Sequence, residues 1–201
     1  MNLPRPKKQV TAAELMAQLE KNEQFQQQSA HRESVRQETH RMLSEAERPI
    51  VADLWDVGCE VGSVWDLVNT REAYAQALPI LMAHLRRGGY PDRVMESLGR
   101  ALAVRPANLY FDELVQAFKD ASGLGEREGL AVAIAGAAQQ KDFDKLRGLV
   151  EDQALGNLRI VFLRPLLHLG GAAGTNLVRS FAEDKVLGLE ASALLRKRKR
   201  P

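Results

Sequence analysis

Two interleaved series of turn residues, both repeating at one interval, constrain this chain more than any other feature. From Gly88 onward, Gly88-Gly89, Gly123-Leu-Gly125, Gly156-Asn157 and Gly188 recur about every 32 to 35 residues. Arg105-Pro-Ala107, Gln140-Lys-Asp142 and Gly170-Gly171 fall halfway between them. Glycine enters the left-handed backbone region without a steric penalty, which suits it to the end of a helix. Two such series at one period spell helix, turn, helix, turn.

The segments between the turns carry apolar residues at helical spacing. Ala77, Leu78, Leu81, Met82 and Leu85 precede the first glycine turn, and Val94, Leu98, Ala101 and Leu102 follow it. Phe111, Leu114, Val115 and Phe118 are answered by Leu130, Ile134, Ala135 and Ala138. Phe143, Leu146, Leu149 and Val150 are answered by Ile160, Phe162, Leu163, Leu166 and Leu167. Leu177, Val178, Phe181, Val186 and Leu187 are answered by Ala191, Leu194 and Leu195, which makes four helix pairs. Leucine and alanine dominate and aromatic residues are only 5%, a bias that favours helices because these side chains lose little rotamer freedom there. No run of four or more β-branched and aromatic residues is bounded by turn signals, so strands lack a candidate and the expected class is all-α.

Overlaying the pairs brings Leu114, Leu146 and Leu177 into register, and Arg93, Arg127 and Arg159 to the heads of the second helices. A two-helix unit with a period in the low thirties cannot bury its stripes alone; stacking such units predicts an α-solenoid. The segment Tyr90-Pro-Asp-Arg-Val-Met-Glu-Ser-Leu-Gly-Arg-Ala-Leu102 resembles the second helix of a HEAT repeat. So do Asn157-Leu-Arg-Ile-Val-Phe-Leu-Arg-Pro-Leu-Leu-His-Leu-Gly170 and Leu189-Glu-Ala-Ser-Ala-Leu-Leu195. The resemblance covers roughly residues 71 to 198 and implies a short right-handed α-solenoid of about four HEAT-like hairpins. It names an architecture and no activity. HEAT units often pair a turn aspartate with an arginine in the second helix; here Asp92 is present but Met95 stands at the arginine's position, and the second unit lacks the aspartate. Pro165 inside a second helix removes a backbone donor and is expected to kink it.

The N-terminal third differs in kind. Thr11-Ala-Ala-Glu14 reads as a capping box, but between Leu15 and Arg48 the apolar residues thin to Leu15, Met16, Leu19, Phe25, Val35, Met42 and Leu43. A helix this polar holds by surface pairs, or lies against a partner along one narrow stripe. Pro49 suits a first helical turn, so a new short helix is expected from Ile50 to Val57. Gly58 and Gly62 then interrupt the pattern around Cys59, and Ser63 with Asp66 opens a capped turn into Trp65. The expected organisation is a polar helical arm over 1–48 with disordered first residues, a tryptophan-containing hinge and cap over 49–70, repeats over 71–195, and a basic tail over 196–201. Trp55 and Trp65, with Leu54 and Val64, are expected to cover the open end of the repeats.

Little in the chain points to chemistry. Cys59 is the single cysteine, so no internal disulfide is possible, and it lies beside Glu60 and valines, not the electropositive setting that a thiolate nucleophile needs. His31, His40, His84 and His168 show no metal-ligand spacing. Gly170-Gly-Ala-Ala-Gly174 follows a helix and lacks the lysine of a phosphate loop. Strand-built WD propellers do not fit the two Trp-Asp dipeptides. HEAT-type alkylpurine DNA glycosylases use aromatics and an aspartate on a basic face, and the body here is not basic. Of the net charge of +2, Arg196-Lys-Arg-Lys-Arg200 supplies five positive charges, which leaves −3 on the remainder. No enzyme activity, cofactor or metal is expected. No stretch resembles a signal peptide or reaches the length of a membrane span, so the expected compartment is the cytoplasm. The expected role is that of an adaptor or scaffold, or an inhibitor or immunity-type protein, binding another protein on the concave face through Arg93, Arg100, Arg127, Arg159 and Arg164, with self-association through the arm. The second reading is nucleic-acid association through the basic tail and the arginine ladder.

Overall fold

The computed structural model describes residues 11–13, 16 and 22–198, and every regular element among them is helical. Glu14 of the expected capping box, Leu15, Leu19, the first ten residues and the last three of the basic tail lie outside the described residues. The chain divides into two units, Met1–Glu45 and Ala46–Pro201.

In the first unit the described structure is dominated by the start of a long helix, α1 (Glu23–Asp56), which continues into the second. Asn22 Oδ1 accepts from the Phe25 amide at 3.2 Å and satisfies one of the free N–H groups at the helix start. Further along, the helix is held by pairs of its own: Arg41 with Glu38 at 2.7 Å, Gln37 with Glu33 at 3.1 Å, and Arg36 with Glu33 at 3.7 Å. Val35 and Met42 are 51% and 54% exposed.

The second unit adds α2 (Val64–Asn69), α3 (Leu78–Arg87), α4 (Asp92–Ala101), α5 (Phe111–Asp120), α6 (Leu124–Ala137), α7 (Phe143–Glu151), α8 (Arg159–Leu169), α9 (Gly171–Ser180) and α10 (Gly188–Arg198). Four consecutive pairs, α3/α4, α5/α6, α7/α8 and α9/α10, each pack against each other, at the places where the apolar spacing puts them. Gly88 adopts φ 60° at the end of α3, the conformation its position in the turn series implies. Along the chain α2 packs on α4, α4 on α6, α6 on α8, and α8 on α10. Leu98, Leu102, Leu130, Ile134, Leu163 and Leu166 are fully buried along these contacts, each contributing about 1.5–3 kcal/mol relative to exposure.

The α4–α6 contact is the most extensive between two helices, and small residues make it possible. A Cβ on Gly129 would collide with the backbone of Glu96, one on Gly99 with the backbone of Gly129, and one on Gly136 with Ala103. Polar ties cross between successive helix pairs at nearly the turn period: Asp92 caps the start of α6 by accepting from the Gly125 and Glu126 amides at 2.8 and 2.9 Å. Asn108 Nδ2 donates to Asp142 Oδ2 at 2.7 Å and to the Ala137 carbonyl at 3.0 Å.

Several details depart from expectation. Leu114 and Leu146 are fully buried, but in the last pair Val178 takes the fully buried place and Leu177 is only half-buried. The helix expected to begin at Ile50 does not exist as a separate element: α1 runs through Pro49 to Asp56. Pro49 is exposed, so the Glu45 carbonyl that loses its donor can turn to water, while Ile50 and Leu54 on the opposite side are fully buried and hold the turn in place. Pro165, by contrast, lies inside α8, the second helix of its pair, as its place in the sequence implies. Among the described residues no helix is long and apolar enough to cross a membrane.

Candidate functional site

The segment between the tryptophans is a structural joint. After α1 ends at Asp56, Gly58 takes φ +79° and the Cys59 amide turns back to the Leu54 carbonyl at 2.9 Å. Ser63 caps α2 by accepting from the Trp65 amide at 3.2 Å, and Asp66 accepts from the Gly62 and Ser63 amides at 2.9 and 3.0 Å, the box that the sequence implies. Glu47, a buried carboxylate on α1, accepts from Ser63 Oγ at 3.0 Å and the Val64 amide at 3.2 Å. The last turns of α1 are thereby locked to the first turn of α2.

Of the four residues expected to cover the end of the repeats, Leu54 and Val64 are fully buried and Trp65 is half-buried. Trp55 corrects the expectation. It is 53% exposed, because its Nε1 donates to the Val61 carbonyl at 2.7 Å and holds the indole against the loop instead of inside the core. A cleft of about 440 Å³ opens beside the joint, lined in part by Cys59, Glu60, Asp66, Thr70, Glu72 and Tyr74. Cys59 is buried, and no histidine reaches this cleft to act as its base. Tyr74 donates to the Ala101 carbonyl at 2.9 Å, and burial holds its phenol above the ordinary tyrosine range.

The five arginines do not form one free ladder. Arg93 lies over the Trp65 ring at 4.4 Å, inside the range of a cation–π contact, and pairs with Glu96 at 2.6 Å. Arg100 pairs with the same Glu96 at 2.8 Å and approaches Glu128 at 4.0 Å. Arg127 sits 5.7 Å from the Phe118 ring centre, and its solvent-inaccessible Nε has no hydrogen-bond partner among the described residues. Arg159 is buried, and this overturns its assignment to a partner-facing row: Nε donates to the Val150 carbonyl at 2.5 Å and Nη2 to Asp184 at 3.1 Å. A guanidinium taken out of water needs such fixed acceptors, so Arg159 joins α7 to the loop before α10. Arg164 is exposed.

Asp184 also accepts from the Leu187 and Val186 amides, and these bonds, with the Arg159 charge, hold its carboxyl below the ordinary range. Glu126 is displaced upward, first by burial and then by the neighbouring Asp92 charge, against the opposing effect of the Gly123 and Ser122 amides.

One constellation escaped the sequence reading. His84 is buried with both ring nitrogens engaged, Nε2 with Asp53 Oδ2 at 2.9 Å and Nδ1 with the Tyr90 hydroxyl at 2.6 Å. With Nε2 as donor to the carboxylate, Nδ1 accepts the phenolic proton. The His84–Tyr90 step spans a glycine turn and was open to local reasoning; nothing in the spacing announces Asp53, thirty-one positions before the histidine. Because both nitrogens are occupied, His84 ties α1 to α3 and its following turn. Among the described residues, no group of three or more His, Cys, Asp or Glu side chains is placed to hold a metal ion. A scan against protein-family models and searches of curated proteins and of solved structures returned no match to this chain.

Proposed function

We propose that this chain is a non-enzymatic, HEAT-like α-solenoid adaptor of the cytoplasm that binds another protein on the concave face of its second helices. The observation that carries the reading is the order of contacts: α4, α6, α8 and α10 touch one after another in chain order, each backed by its preceding helix. A stack in which sequence neighbours are spatial neighbours presents one extended face, and such faces bind segments of other proteins. On this reading Arg93 with Trp65, Arg100, Arg127 and Arg164 contribute to the binding face, and Arg159 supports it from within. An inhibitor or immunity-type role is the same physical act with a toxin as the partner.

The absence of enzyme function in this proposal rests on the closed bonding of the reactive groups. Cys59 is buried without a base, and His84 has no free nitrogen. The arginine-ladder part of the nucleic-acid alternative is weakened by the pairing of Arg93 and Arg100 with Glu96 and of Arg159 with Asp184, since phosphate binding draws on uncompensated cations.

The test is capture of partners from native lysate by the full chain and by an Arg93→Asp/Arg164→Asp variant. A protein held by the wild type through added salt and lost by the variant is the expected result. Retention of nucleic acid that salt removes, with no protein lost by the variant, would overturn it.

A further inference from the structure

The helices from α2 to α10 form a series with two different ends, and the charges there are of opposite sign. At the first end, residues 49–70 include Asp53, Asp56, Glu60 and Asp66 and no lysine or arginine. At the other, residues 191–198 include Arg196, Lys197 and Arg198 and no acidic residue. Some of the charges between the ends are paired, as in Arg86 with Glu113, Lys145 with Asp112 and Arg147 with Glu151. Asp56, Glu60, Arg196 and Lys197 are exposed and have no ion-pair partner among the described residues.

Each end also exposes an apolar group. The buried side of α10 presents Ala191 and Leu194 to the core, and Arg198 on the same helix donates to the Leu167 carbonyl at 3.0 Å and Thr175 Oγ1 at 2.7 Å. The opposite side carries Leu189, 91% exposed, with Arg196 seven residues on and therefore on the same face. No further helix covers it among the described residues, since the extensive contacts of α10 are with α8 and α9. At the other end stands Trp55, half exposed and fixed by its bond to Val61.

We infer that the two ends are complementary and that copies of this chain associate head to tail, the outer face of α10 with Leu189, Arg196 and Lys197 docking against Trp55, Asp56 and Glu60 of the next copy. A second copy of this chain carries, at its opposite end, the charges that complement each of these surfaces, acidic against basic. The contact pairs two different surfaces, so it leaves one of each free and adds further copies, into a ring where the rotation closes and an open chain where it does not. It is distinct from association through the polar arm, which would pair like with like, and from partner binding on the concave face.

The test is sedimentation velocity or light scattering of the full chain across concentration in low-salt buffer. Mass should climb with concentration beyond that of the monomer, and added salt should return the chain to monomer because the attraction is between exposed charges. Asp56→Lys/Glu60→Lys and Arg196→Glu/Lys197→Glu should each be monomeric with unchanged circular dichroism. Mixing the two variants should restore assembly, since each then meets an end of opposite sign, and Leu189→Asp should weaken it. A wild type that stays monomeric at every concentration overturns the inference, and so does an assembly that survives both charge reversals.

Discussion

The helix over residues 23–45 and the helix pairs from residue 78 onward are equally helical, yet different forces hold them. In the first, Val35 and Met42 remain half exposed and the visible ties are pairs three or four residues apart. Each such pair contributes about 0.2–0.5 kcal/mol. In the second, residues such as Leu98 and Leu130 are fully buried and each contributes several times as much. The difference teaches that helical propensity and helical packing are separate properties: the polar helix has the first, and only a wide apolar stripe provides the second.

The sharpest way to break the comparison is to put volume where two backbones meet. Gly129→Leu would drive a side chain into the Glu96 backbone, and it should cost about 3 kcal/mol or more and lower the melting temperature steeply. Next, Glu47→Ala leaves Ser63 Oγ and the Val64 amide without their acceptor, for a loss of about 1–3 kcal/mol in denaturant titration. Asp92→Ala uncaps α6 and should cost about 1 kcal/mol, with Asp92→Asn retaining part of it. In the polar helix, Val35→Ala or Met42→Ala should change global stability by less than about 0.5 kcal/mol. A large loss there would mean that this stripe is buried against something in solution.

Two carboxyls sharpen the picture through pH. Asp184 titrates lower in the folded chain than in the unfolded one, so its contribution is present above the ordinary carboxylate range and is lost as pH falls through the depressed folded value. Glu126 has the opposite sign. Its folded value is raised, so the folded chain binds that proton more tightly and its unfavourable contribution at neutral pH is relieved as pH falls through the raised range. Stability measured against pH for Glu126→Gln should therefore exceed wild type at neutral pH and converge with it in acid.

The legible and illegible parts of the site divide along the same physical line. Ser63 and Asp66 were readable as a capping box because the bonding partners lie within three residues. Glu47 reaches sixteen residues to Ser63, and Asp53 reaches thirty-one to His84, and no local rule encodes either distance. Trp55 misled because a tryptophan near an apolar run reads as core, whereas its indole N–H found the Val61 carbonyl at the surface. Arg159 misled in the reverse sense: repeat register put it beside Arg93 and Arg127, but only the placement of Val150 and Asp184 could make a buried guanidinium tolerable.

The sequence alone determined the all-helical class, the positions of four helix pairs and the turns between them, because turn residues and apolar spacing act over a few positions of chain. Tertiary structure alone decided which polar groups meet. Glu96 serving two arginines, Asp92 capping the next unit, and the close approach of Gly99 and Gly129 depend on how one helix lies against another. That placement comes from burying whole surfaces together, and a surface is not written in any short stretch of residues.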